Sequence, residues 1–443
     1  MKSPQADELA TEQGVAVQLR ESSSVGRAFA FCRAHALLVV FLAGFVVRVI
    51  FILAYGPTAP PWHRGDDQAY DTIAYRLVTE HVFANSFYPP GYPLFLALNY
   101  AVFGRSWFLA RLVQALIGAG TCALTYRLAG KVFSEREGLL AGFLLAVYPG
   151  HVFYCWRLMA EPLYIFLLVS SLLLALTVAE HPRPLWAFAL GALIGVSQLV
   201  KGNMVFFLPM SVVWLGFSVG SGVKRRAVNV AAMMAGMILA ALIQPTANFL
   251  SPAHQAHLLP GNAGGSLWVG NNPQATGSFY IDDNNPAVRE FIERHGFTES
   301  LKNADYLHQE AIYRSLGLSW ICENPGQFLA LLPKKLNNAF GLFPKAQVLE
   351  GNSRAQIVHL LTYGLMAPFA LVGMIVGMRR WRTTSLLYIV VASYMLTVLV
   401  FFGTPRYTLL IIPELLVFAS CGMLTAYTCI IRSRQASASM PIS

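Results

Sequence analysis

Apolar residues in this 443-residue chain come in long runs rather than in strand-like alternation. A helix needs about 20 apolar residues to cross the hydrocarbon layer. Runs of that order predict spans near 36–55, 107–130, 137–150, 161–179, 185–200, 203–220, 227–245, 356–378, 384–402 and 407–431. The fold class that follows is an all-α polytopic membrane protein with about ten transmembrane helices. Several runs fall short of a full span, and Pro149, Pro162 and Pro209 interrupt or bound them, which predicts broken or half-buried helices around a cavity.

Two polar intervals, 56–106 and 246–355, are too long to be simple connections, and loops of that size carry function. Within the first, 66–83 has apolar residues at helical spacing and 88–104 has an apolar run too short to span, so both predict amphipathic helices on the membrane surface. The stretch 286–343 has a similar pattern. The expected organisation is a disordered cytoplasmic tail (1–35), a transmembrane module (36–245) that includes external loop 56–106, a long extracytoplasmic loop with interfacial helices (246–355), C-terminal transmembrane helices (356–431) and a cytoplasmic tail (432–443). The first thirty residues lack the apolar core and small-residue cleavage site of a secretory signal.

Composition agrees with a lipid environment: 56% of residues are hydrophobic and only 12% charged, where soluble domains carry about a quarter charged. The net charge of +10 does not indicate nucleic acid, because the basic residues form short clusters on alternate loops. That alternation places both termini in the cytoplasm. Six cysteines, Cys32, Cys122, Cys155, Cys322, Cys421 and Cys429, form no CxxC pair, which argues against zinc or a disulfide scaffold. Only Cys155 and Cys322 are placed to face an oxidising compartment.

Charge at the end of an apolar run is where chemistry is sought. Asp66 and Asp67 follow the first span, and Tyr70 lies on the same helical face as Asp66. A carboxylate at that membrane lip can accept the proton of an attacking hydroxyl, amine or amide. The plainer alternative is a helix N-terminal cap. Glu161 opens another apolar run, with Arg157 close by to neutralise it; with Asp67 it is a candidate second acid. Lys201 sits in a turn between two apolar runs, where a charge usually has a partner or a task. Arg406, at the outer end of the last span, breaks the orientation bias; its planar donor fork suits phosphate oxygens, and Lys201 adds a point charge on the same side. The amide-rich stretch 267–277, with Asn271 and Asn272, suits a sugar-contacting loop. No nucleotide, zinc-protease, serine-hydrolase or EF-hand motif is present. No cofactor is firmly implied; a divalent cation at Asp66 and Asp67 stays open, with nothing in the spacing demanding one.

Several segments together resemble one family, the GT-C membrane glycosyltransferases, in particular the bacterial relatives of protein O-mannosyltransferases and of the lipid A aminoarabinose transferase. The resemblance rests on Asp66 with Tyr70 four residues on, YPPGYP at 88–93, AEPLY at 160–164, KGN at 201–203, GNNPQATG at 270–277 and PRYTLLIIP at 405–413. It implies a GT-C-like bundle in a bacterial inner membrane, an active site on the periplasmic side, a polyprenyl-phosphate-linked sugar donor, and inverting transfer to a glycolipid, polysaccharide or protein. Asp66 would be the general base and Lys201 and Arg406 would hold the donor phosphate, with Tyr70, Tyr88, Arg157, Asn271 and Asn272 as substrate contacts. One departure is Tyr88, which stands where the mannosyl and aminoarabinose enzymes have a His or Lys before Pro-Pro, so neither sugar nor acceptor can be copied from them. The rival reading is a transporter or flippase of a lipid-linked sugar or other anionic lipid, which also uses broken helices and charges near the midplane. Charges clustered at one face and large external loops favour surface chemistry. A non-catalytic partner in envelope assembly is the third reading.

Overall fold

The computed structural model describes residues 35–438 except 63–64, 84–86, 221, 244, 247–261 and 345–351. The expected N-terminal tail, apart from His35, and residues 439–443 lie outside the described residues, as does Cys32. Helix α1 (Ala36–Tyr55) leads into the loop that carries α2 (Asp66–Glu80) and α3 (Gly91–Phe103). Next come α4 (Trp107–Val132), α5 (Glu135–Val147), α6 (Pro149–Trp156), α7 (Glu161–Glu180), α8 (Pro184–Val200), α9 (Phe207–Ser218) and α10 (Val223–Ala241). The second long loop holds α11 (Ala263–Gly270), α12 (Pro286–Arg294), α13 (Thr298–Asn303), α14 (Tyr306–Glu323) and α15 (Pro325–Phe340). The chain ends with α16 (Ser353–His359), α17 (Leu365–Gly377), α18 (Trp381–Val400), the short α19 (Pro405–Thr408) and α20 (Ile412–Ala438).

This is an integral membrane protein. Among the described residues, five helical stretches are long and apolar enough to cross a bilayer, six if the bent pair α5 and α6 is one span, while α3, α8 and α9 are shorter apolar helices. One of the five, Ser353–Val400, folds back on itself. The Tyr388 hydroxyl donates to the Met374 carbonyl, and those residues would stand about 21 Å apart in a straight helix. The last helix runs to Ala438, so residues 432–438 are helical. Cys155 is buried, Cys322 is exposed, and both are free thiols.

The break between α5 and α6, a bend of 50°, shows how this chain manages polar backbone in lipid. Pro149 has no N–H to give Leu145, so carbonyls near the end of α5 lose their helical donors. Arg48, fully buried in α1, reaches the Leu145 and Ala146 carbonyls at 3.5 and 3.3 Å and the His151 ring at 2.7 Å. Elsewhere small residues bring helices into backbone contact. A Cβ on Gly191 of α8 would lie 1.8 Å from the Met233 carbonyl of α10.

Candidate active site

The first long loop is fastened to the helices from below. Arg111 of α4 donates to the carbonyls of Pro57, Ala59 and Trp156 at 2.7, 2.6 and 2.7 Å. Gln114, one turn on, donates to the Cys155 and Arg157 carbonyls and accepts from the Tyr92 hydroxyl. Asp71 pins α2 by accepting from Tyr100 at 2.5 Å, Trp107 at 3.0 Å and Arg105 at 2.5 Å. Asp66 and Asp67 occupy the first turn of α2, where the helix dipole favours negative charge. The N-cap itself is Gly65 and no side chain caps the helix, so neither acid is the N-terminal cap, and what separates them is what they face.

Asp67 accepts both Nε and Nη2 of Arg157, at 3.1 and 2.7 Å, and the Trp62 N–H at 3.1 Å. Arg157 lies 3.8 Å from the Trp62 ring centroid. This is a closed structural pair, so Arg157 neutralises Asp67 rather than Glu161. Asp66 turns the other way. One oxygen accepts the Tyr88 hydroxyl at 3.1 Å and the other pairs with Arg406 Nη2 at 2.7 Å. Arg406 also donates through Nε to Glu161 at 2.7 Å, and Lys201 reaches the same Glu161 oxygen at 3.0 Å.

Each of these groups sits at an element end for a local reason. Glu161 is the first residue of α7, followed by Pro162, which suits the first turn. Lys201 ends α8 and Arg406 lies in the single turn α19. Two acids and two cations from four separate stretches thus form one cluster. Glu161 has no exposed surface, whereas the side chains of Asp66 and Arg406 are 31% and 24% exposed. The accessible part of the cluster is therefore the Asp66–Arg406 pair. Aromatic rings surround it: Tyr70 packs 4.8 Å from both Tyr88 and Tyr92, and Lys201 lies 5.0 Å from the Tyr407 ring. Burial, reinforced by the Asp66 carboxylate, pushes the Tyr70 and Tyr88 phenols up from their usual range, so both stay protonated and Tyr88 serves as a donor.

Residues 88–248 match the family model of dolichyl-phosphate-mannose-protein mannosyltransferases. The archaeal oligosaccharyltransferase AglB of Archaeoglobus fulgidus, in complex with an inhibitory peptide and a dolichol-phosphate, superposes with a TM-score of 0.57 at 14% identity, covering 93% of this chain and 53% of that one. An Archaeoglobus fulgidus oligosaccharyltransferase in the apo form gives a TM-score of 0.54 at 14% identity, covering 93% of this chain and 52% of that one. The chain has the fold of the GT-C membrane glycosyltransferases. It spans about half the length of the archaeal enzyme it matches. ArnT from Cupriavidus metallidurans, bound to undecaprenyl phosphate, matches over 95% of this chain and 82% of its own at 16% identity, with a TM-score of 0.35. No curated protein matches by sequence.

Within this GT-C fold, Asn271 and Asn272 are not brought to the cluster. Both are fully buried. Asn271 donates to the Leu267 and Val400 carbonyls and accepts from Lys335 at 2.7 Å, while Asn272 donates to Trp268 and Val269. Their amides are used in holding the second long loop together. For a divalent cation the carboxylates fit poorly: Asp67 is closed by Arg157, and Asp66 is engaged by Tyr88 and Arg406. Among the described residues no group of three His, Cys, Asp or Glu is placed to hold a metal. Arg48, Asp71, Arg111, Lys335 and Glu414 are buried ionisable side chains that the sequence pattern did not single out. The only signal for Asp71 was a third acid within six residues of Asp66.

Proposed function

We propose that the protein is an inverting glycosyltransferase that takes its sugar from a polyprenyl-phosphate carrier at the extracytoplasmic face of a bacterial plasma membrane, with both termini cytoplasmic. The observation that carries this is Arg406, which joins a partly exposed acid, Asp66, to a buried acid–lysine pair, Glu161 and Lys201. A base and a phosphate-binding cation thus stand side by side. The dolichol-phosphate held by the archaeal neighbour supports a lipid phosphate as the leaving group.

In the proposed step, the acceptor hydroxyl or amine loses its proton to Asp66 as its oxygen or nitrogen bonds to the anomeric carbon. The bond from that carbon to the phosphate oxygen breaks, and polyprenyl phosphate leaves with the electron pair. Arg406, assisted by Lys201, stabilises the negative charge that develops there. Asp66 is a weak base by itself, and positioning supplies what basicity does not. Glu161 keeps both cations aimed at one place, and Tyr88 orients the Asp66 carboxylate.

Binding of undecaprenyl phosphate to purified protein tests the phosphate half. Arg406→Ala and Lys201→Ala are expected to weaken it by about tenfold each, since a charge-assisted hydrogen bond contributes about 1.5–3 kcal/mol. Unchanged affinity in both variants would remove these residues from the donor site.

A further inference from the structure

Lys335 of α15 is fully buried and its hydrogen-bond partners are all neutral. Its ammonium donates to Asn271 Oδ1 at 2.7 Å and to the carbonyls of Leu399 and Val400 at 3.0 and 3.4 Å. Those carbonyls belong to the last turn of α18, where no helical N–H follows and the dipole is negative. The Lys335 amine caps the helix through these hydrogen bonds. Asn271, held by the same ammonium, donates to the Val400 carbonyl at 2.9 Å.

The chain beyond this cap leads directly to Arg406, and it is gripped along the way. The Gly403 N–H donates to the Gly277 carbonyl at 2.9 Å, and the Thr408 hydroxyl donates to the Ala339 carbonyl at 2.7 Å. The backbones approach so closely that a Cβ on Gly403 would stand 1.9 Å from the Lys335 carbonyl. Helix α15 therefore touches the run 399–408 before and after Arg406, through Lys335 and, one turn on, Ala339.

We propose that Lys335 is a positioning residue for Arg406. By capping α18 and tying it to α15 and Asn271, it fixes the start of the turn from which the Arg406 guanidinium spans Asp66 and Glu161. This rests on the reading of Arg406 as a donor-phosphate group, and the test separates the two.

Lys335→Met nearly keeps the length of the side chain and removes its hydrogen-bond donor. It is expected to weaken undecaprenyl phosphate binding on the order of tenfold, the scale on which a displaced site group is felt. Lys335→Arg should recover part of the loss, and the exposed neighbour Lys334→Met should match wild type. In an Arg406→Met background, Lys335→Met should add little. Equal losses in both backgrounds would overturn the proposal. A second arm reads folding alone: the melting-temperature drop caused by Asp66→Asn should shrink when Lys335 is already Met, because the Asp66–Arg406 pair is then loosened. Strictly additive drops would overturn the proposal even if wild-type protein bound no undecaprenyl phosphate, an outcome that on its own would sink only the phosphate reading. Should Lys335→Met not fold, Asn271→Ala, which removes one of the three acceptors, carries the same comparisons.

Discussion

Asp66 and Asp67 are neighbours in the chain with opposite surroundings in space. Asp67 is shut in by Arg157 and its side chain is 3% exposed, whereas Asp66 lies open beside Tyr88 and Arg406. Removing one partner of a buried ion pair leaves the other charge uncompensated, at a cost of about 3–5 kcal/mol. Asp67→Ala is therefore expected to lower stability by about that amount in a detergent melting experiment, and Asp66→Asn by clearly less. The reverse order would assign the structural role to the wrong acid. Sequence reading reached Asp66, Glu161, Lys201 and Arg406 because each is an isolated charge at the end of an apolar run, where burial needs a reason. The residue pattern alone did not separate Asp66 from Asp67, which only the family resemblance did, since Arg157 meets its acid across 90 residues. Asp71 was missed because its partners lie 29 to 36 residues on. Lys335 was missed because it stands beside an exposed lysine and binds carbonyls, which no pattern of side chains announces.

At the scale of elements, hydropathy located apolar helices but not their lengths or breaks: where about ten crossings were expected, five or six stretches among the described residues are long and apolar enough to cross. Pro149 predicted an interruption, and the structure adds the reason it is tolerated, the Arg48 guanidinium among the freed carbonyls. The turn that doubles Ser353–Val400 depends on packing, which the apolar pattern does not record. The cap on α18 makes a testable statement of its own. Burial pulls the Lys335 amine down from its ordinary 10.5 to about 7, so between those values the unfolded chain holds a proton that the folded protein has released. Stability should therefore rise as pH goes from about 7 towards 10, with a slope of at most about 1.4 kcal/mol per pH unit, and fall again as pH returns towards 7. Thermal melts of wild type against Lys335→Met across that range should show this slope in wild type only. Parallel curves would mean that the Lys335 amine does not titrate as its burial implies.

In the whole molecule, loops and helix ends separated by up to 340 residues in the chain are drawn to one cluster, with Asp66 in α2, Glu161 on α7, Lys201 after α8 and Arg406 in α19. That convergence was implied by the family resemblance and by the alternation of charged loops; the pairing of each cation with an acid was not, because charge sign along a sequence does not say which groups meet. Asn271 and Asn272 show the converse, since their composition suited sugar contact, whereas packing uses Asn271 to tie α11 to α15 and α18 and Asn272 to close the end of α11 locally. The central claim is that Asp66 transfers a proton within this cluster rather than merely completing an ion pair. Its most direct test is sugar transfer by purified protein in proteoliposomes supplied with an undecaprenyl-phosphate-linked sugar. Asp66→Asn should reduce transfer by at least about a hundredfold while binding undecaprenyl phosphate as wild type does. Transfer at the wild-type rate by Asp66→Asn would contradict the account.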